Sequence, residues 1–423
     1  MTFSEWKEWL GELPWLLKWF PLLVVFRPIV DSLYFLKEVS PLLSPPYLVG
    51  ILTPILAISA LARYYYPHLG KVDKAFTFWS VLVLLNCFFI ILYDPLSMLS
   101  LEFLLKLSLP VYLFFFLRIL IKDLRDLHGV LQSFLYSALF IAAILIFEVL
   151  VNPIAIQESR GLQRIQGTFG DVVSYGMYIV FALSASTYFY FSRNHIATQS
   201  KRLILIGAVG SIGILGLVNI HHTATYTVFL LIIALFLLFN FRKGSPALGF
   251  GIILLAGLGL SYFGSGLIEE KISPLIETDI EVYSGEADTD RLLHGRVGRW
   301  RLMLNDFSSE IVPVQFFGYP LKFDYVFQFI GIGSHNDFVR ILFATGIFGL
   351  VLYLRLLVVV FRQNVLLGAA QRYLLYATFT SLLFYSISVT PTIYAPFMYF
   401  TLSVFAFSAL PKSSQLKWKN QEY

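Results

Sequence analysis

Charge is scarce in this sequence. Only 13% of its 423 residues are Asp, Glu, Lys or Arg, against roughly 25% in a soluble globular domain. Cysteine is scarcer still. The single one, Cys87, sits inside an apolar block, which excludes an intrachain disulfide framework and a multi-cysteine metal site. No internal repeat is evident, which weakens a reading as an inverted-repeat transporter. The basic residues fall in short stretches between apolar blocks instead of gathering in one patch, so nucleic acid is not an expected partner.

What the chain has in abundance is apolar surface. Hydrophobic residues make up 57% of it and the mean hydropathy is +0.74. They come in blocks such as VLVLLNCFFIILY (81–93) and TVFLLIIALFLLF (227–239). Crossing about 30 Å of hydrocarbon takes about 20 mostly apolar residues in helical form. The expected fold class is therefore an all-α integral membrane protein, forming a single polytopic membrane domain over residues 1–423.

Window hydropathy gives about twelve candidate spans. They lie near 14–36, 47–66, 76–93, 101–121, 130–150, 172–192, 202–219, 224–241, 246–263, 338–361, 371–388 and 393–410. The first has no small-residue cleavage site and is expected to remain as a span. Placing both termini in the cytoplasm puts more than half of the 31 Lys and Arg on the inner side, as the positive-inside rule requires. Two outer segments are then longer than the rest, residues 151–171 and residues 264–337.

Charges inside spans are the costly ones. Arg27 and Asp31 lie i, i+4 in the first span, and Glu102 and Lys106 repeat the arrangement in the fourth. Either charge alone at the bilayer centre costs about 2.5–3.5 kcal/mol, so pairing is expected, as a structural ion pair or, for Arg27 and Asp31, as part of a substrate site. Pro110 in the fourth span marks an expected kink.

The larger outer segment carries DTDRLLHGRVGRWRLML, with Arg291, His294, Arg296, Arg299 and Arg301 close together. GRWRLMLNDF predicts an amphipathic helix with Trp300, Met303 and Leu304 on its apolar face. Arg296 and Arg299, three apart, then present guanidinium groups to one side, suited to phosphate oxygens, unless they simply form a basic face turned to lipid head groups or to the acidic stretch before it. The smaller outer segment adds Arg160 and Arg164, and the connection NIHHTATYT (219–227) adds His221 and His222. Adjacent histidines point to different helix faces, so at most one is expected to face a site. No spacing signature supports the three or four converging ligands a metal requires. Finally, SHND (334–337) precedes a long apolar run. Ser334 and Asp337 read as a helix cap, which leaves His335 between them without a structural reason.

GRVGRW, then FFGYP, then GSHNDFVRILFATGIFGLVLYL resembles the signature region of the O-antigen ligase/polymerase superfamily. The shared elements correspond here to Gly295, Arg296 and Trp300, to Phe317 and Gly318, to His335 and Asn336, and to Gly346 and Gly349; RIQGTFGDVVSYGMY (164–178) resembles a further family segment. The resemblance implies a membrane glycosyltransferase of GT-C architecture, needing no metal and no cofactor, on the periplasmic side of the bacterial inner membrane. It implies an undecaprenyl-diphosphate-linked glycan as donor, a glycan or lipid A-core as acceptor, and a chain-length-regulating co-polymerase as a further partner. Arg296 would grip the diphosphate and His335 would act as general base on the acceptor hydroxyl. Arg160, Arg164, Arg299, His222, Asn336 and Arg340 complete the expected substrate-binding set.

One departure bears on the activity. Family ligases carry a Ser/Thr-Arg pair at the outer start of the eighth span, where this chain has HHTATYT without an arginine. The second diphosphate ligand must then be Arg299, Arg164 or His222, or the enzyme is not a ligase. The departure tilts the reading toward a polymerase joining lipid-linked repeat units. The alternatives are a ligase acting on lipid A-core or a protein oligosaccharyltransferase, and, in another class, a lipid-linked glycan transporter.

Overall fold

The computed structural model describes residues 2–40, 44–64, 66, 69–93, 98–151, 156–159, 162–165, 169, 172–192, 199–242, 273–321 and 334–411. The expected ninth span (246–263) and Arg160 lie outside the described residues.

The chain opens with a short helix, α1 (Phe3–Glu12), closed by a capping box in which Thr2 and Glu5 satisfy each other's backbone N–H groups. Then follow α2 (Trp15–Ser32), α3 (Pro45–Arg63), α4 (Lys71–Tyr93), α5 (Met98–Leu120) and α6 (Leu124–Leu150). A two-stranded antiparallel ribbon comes next, β1 (Ile156–Ser159) and β2 (Leu162–Ile165), with Gln157 opposite Arg164. After it come α7 (Val172–Phe191), α8 (Gln199–Ile220) and α9 (Thr223–Arg242). The large outer segment folds as α10 (Ser273–Ser284), α11 (Leu292–Ser309) and α12 (Val312–Phe317), and the chain returns through α13 (Asp337–Arg362), α14 (Ala369–Ser388) and α15 (Ala395–Ser408).

Seven of these helices are long and apolar enough to cross a membrane. With them the protein is an all-α, multi-pass membrane protein. Apart from 246–263, every expected span overlaps a described helix. The helices α7 and α15 are apolar all round and buried along nearly their whole length, the mark of a central position. By contrast, α3 and α4 leave Leu52, Ile55, Ile58, Phe78, Val81, Leu84 and Phe88 exposed. Such a stripe is unfavourable in water and neutral in hydrocarbon, so these faces are suited to lipid.

A buried ion pair joins three helices near the ends that the positive-inside count assigns to the cytoplasm. Arg118 of α5 meets Asp73 of α4 at 2.7 Å, with side chains 1% and 0% exposed. Tyr66 Oη and the Gly70 N–H donate to the same carboxylate at 3.0 and 2.8 Å, and Arg118 Nη1 donates to the Ala406 carbonyl of α15 at 3.4 Å. Removing one partner of such a pair leaves an uncompensated charge, a loss of about 3–5 kcal/mol. Arg118→Met is therefore expected to lower the thermal unfolding midpoint in detergent sharply, and the double variant Asp73→Asn/Arg118→Met to regain most of the loss. Equal midpoints for the wild type and Arg118→Met would remove the pair from the fold's supports.

Candidate active site

The site is built where the outer segment meets the start of α13. α13 is capped by Asn336, whose side-chain Oδ1 accepts from the Phe338 and Val339 N–H groups at 3.0 and 3.1 Å. This corrects the expectation that Ser334 and Asp337 cap the helix. Asn336 adopts the extended backbone of an N-cap, and its oxygen satisfies the orphan donors. The Ser334 hydroxyl instead braces the turn, donating to the Asn336 carbonyl at 2.9 Å. Asp337 turns inward and is fully buried, pairing with Arg340 Nε at 3.0 Å and accepting from the Thr392 hydroxyl at 2.6 Å. Thr392, in the short turn before α15, also accepts from Arg340 Nη2. Two residues of the expected substrate-binding set thus make internal bonds: Asn336 caps the helix, and Arg340 is braced by Asp337 and Thr392.

His335 is the residue this scaffold carries. Its side chain is exposed, and its backbone is left-handed, with φ at +46°. A non-glycine residue in that region stores roughly 1–2 kcal/mol of strain, and strain of this kind collects where a side chain is aimed for a purpose.

The arginines arrive on α11. The Trp300 indole N–H donates to the Ser334 carbonyl at 2.8 Å, which ties the arginine helix to the residue before His335. Met303 and Phe307 are buried with Val314, Tyr319, Val339 and Phe343. Leu304, expected on the apolar face, is exposed instead; the buried stripe runs through positions 300, 303 and 307, and Leu304 falls outside it. The basic residues divide accordingly. Arg301 points outward to Asp290 at 2.8 Å, while Arg296 and Arg299 both act on His335. Partial desolvation, then the Arg296 and Arg299 charges, hold the His335 ring below its ordinary pKa, so the imidazole is neutral at neutral pH. Burial and the like charge of Arg299 also lower Arg296, with Asp279 opposing them. Two partly desolvated guanidinium groups beside a neutral imidazole form a site that gains from an anion.

Two glycines set the distance between the outer segment and α13. Gly346 interrupts α13 with φ at +67°, and a Cβ there would overlap the Phe316 carbonyl. Gly318, with φ at +101°, lies so close that a Cβ would sit 2.7 Å from the Ala344 carbonyl carbon. Only glycine permits both conformations at this backbone-to-backbone approach.

The remaining expected residues form a second group at the α8–α9 connection. His222 Nδ1 meets the Thr225 hydroxyl at 2.8 Å, and Thr225 meets Tyr385 Oη of α14 at 3.1 Å. His221 is buried with φ at +48° beside Tyr226 Oη at 3.4 Å. The β-ribbon delivers Arg164 to this place. It is 9% exposed, its Nε has no hydrogen-bond partner, and its charge is felt by Tyr226. No sequence signal paired residue 164 with residue 226; the ribbon does so in space.

No protein-family model matches the chain, and no curated protein matches it.

Two measurements test the site without assuming its reaction. In a histidine-selective NMR titration, His335 is expected to titrate below about 6.5. Each arginine disfavours the imidazolium, so Arg299→Gln moves the titration upward; an unshifted His335 would refute the electrostatic coupling. The left-handed backbone predicts that His335→Gly is more stable than His335→Ala by about 1 kcal/mol, read as the difference in unfolding midpoint between two otherwise equivalent variants.

Proposed function

We propose that the protein is a glycosyltransferase that polymerises undecaprenyl-diphosphate-linked repeat units into O-antigen or a related surface polysaccharide. In this reading it has twelve spans and GT-C architecture, lies in the bacterial inner membrane with both termini cytoplasmic, and works at the periplasmic face. The observation that carries the reading is His335 on a left-handed turn, tied by the Trp300–Ser334 hydrogen bond to the helix that carries Arg296 and Arg299, on segments that resemble the O-antigen ligase/polymerase superfamily.

The chemistry follows from those three side chains. An acceptor hydroxyl attacks the anomeric carbon of the donor while the bond to the diphosphate oxygen breaks. The hydroxyl proton goes to His335, whose low pKa keeps it able to receive one, a contribution of about 10²–10⁴ in rate. Charge grows on the departing diphosphate, and preorganised cations at that point lower the barrier directly. Arg296 and Arg299 supply them.

A second reading rests on Arg164. It lies beside Tyr226, in the stretch where family ligases carry the arginine that HHTATYT lacks, so a ligase passing the glycan to lipid A-core keeps a specific argument in its favour. Membranes supplied only with lipid-linked repeat unit separate the two. A ladder of lengthening lipid-linked glycans is expected from the polymerase, and its loss in His335→Ala at unchanged protein level. Transfer that starts only when lipid A-core is added would establish the ligase instead, and full activity of His335→Ala would remove it as the base.

A further inference from the structure

The two ion pairs legible in the sequence turn out to face one space. A cavity of about 310 Å³ opens between α2, α3, α5 and the turn before α15. Arg27 Nε meets Asp31 Oδ1 at 2.8 Å on one wall, and Lys106 Nζ meets Glu102 Oε1 at 2.6 Å on another. Tyr47, Tyr112, Tyr394 and Tyr399 also line it. The hydroxyl of Ser44, a lining residue only 1% exposed, has no hydrogen-bond partner. A buried hydroxyl left unpaired in this way costs about 1–3 kcal/mol, a loss that a ligand atom placed there removes.

The lining selects its occupant. Each cation is already balanced by its own carboxylate, so the cavity offers no surplus charge to a diphosphate. An ion pair of this kind exchanges hydrogen bonds with hydroxyl groups, as Asp31 does with Tyr178 Oη at 2.7 Å and Arg27 Nη1 with Tyr399 Oη at 3.5 Å, which suits a ligand made of hydroxyl groups. Tyrosine rings offer apolar faces to the C–H surface of a pyranose. The volume is at the small end of the roughly 300–1,000 Å³ typical of small-ligand sites, suited to a sugar or short saccharide. The place also fits. Arg27 and Asp31 are near the last turn of α2, whereas Ser44, Glu102, Ser174 and Ala395 lie at the starts of α3, α5, α7 and α15. The turn that contributes Ile393 and Tyr394 to the wall is held by Thr392 to Asp337, two residues from His335.

We infer that this cavity is a saccharide subsite, binding an uncharged sugar of the acceptor glycan while the arginine cluster binds the diphosphate of the donor. The inference rests on the glycosyltransferase reading for the word acceptor, but not for the sugar.

The test measures binding of a free oligosaccharide, the repeat unit cut from its diphosphate carrier by mild acid, to the full-length protein in nanodiscs by calorimetry. Wild type is expected to bind it. At Gly50 a Cβ meets only Leu105 Cδ1, at 3.9 Å, so Gly50→Phe grows into the void and is expected to weaken binding more than tenfold. Ser44→Ala removes a hydroxyl that the protein itself leaves unpaired. It is expected to raise the unfolding midpoint, or at least not lower it, and to weaken binding about threefold to tenfold. His335→Ala is expected to bind the sugar as wild type does, which separates this inference from the catalytic one. Binding by a protein that shows no transfer would leave the subsite standing and overturn the function. Unchanged binding in both Gly50→Phe and Ser44→Ala, or a loss in those variants of farnesyl diphosphate binding with the sugar unaffected, would overturn the subsite.

Discussion

One hydrogen bond holds the proposed chemistry together, that from the Trp300 indole to the Ser334 carbonyl at 2.8 Å. Its two ends belong to different kinds of structure. Trp300 lies on a helix of the outer segment that carries the arginines, and Ser334 lies on the turn that carries His335. Without a link of this kind the arginines and the histidine would be set by the tilt of α11 on the membrane surface. With it, the apolar stripe of Met303 and Phe307 has a fixed register against Val339 and Phe343, and both guanidinium groups act on one imidazole. The tryptophan that resembles a family signature therefore has a positioning task separate from its burial.

The membrane imposes the second constraint. Lipid gives a charged side chain neither water nor a counterion, and two pairs inside the spans neutralise each other locally, Arg118 with Asp73 and Arg27 with Asp31, whereas Glu148 of α6 is buried with neither carboxyl oxygen hydrogen-bonded. Arg296 and Arg299 stand in the larger outer segment, where burial and Arg299 lower Arg296, and both arginines lower His335. This separation gives the molecule two polar environments with different chemistry. One is cationic and suited to phosphate oxygens; the other is charge-balanced and rich in tyrosine, suited to hydroxyl groups.

The helical membrane class was fully legible, because apolar blocks long enough to span a bilayer admit few other folds. The pairing of Arg27 with Asp31 and of Glu102 with Lys106 was legible for the same reason, since i, i+4 spacing puts both charges on one face. Their convergence on one cavity was not, because it depends on how α2 and α5 are rotated about their axes, and no local pattern encodes that. The cap went to Asn336 because Ser334 and Asp337 occupy the same few residues, and backbone dihedrals, not composition, decide between candidates. Thr392 could not have been found at all, since nothing in its own surroundings points 55 residues back to Asp337.

The break at Gly346 gives α13 two mechanical parts. Residues 337–345 are held against the outer segment at Gly318 and to the turn before α15 through Thr392, while residues 347–362 run on along α4. Bilayers of different thickness change the tilt of a span that is longer or shorter than the hydrocarbon. In an unbroken helix that tilt would swing His335 relative to the arginines. Here the helix is not continuous through Gly346, so the tilt of residues 347–362 is not passed on as that of one rigid rod to the turn that carries His335.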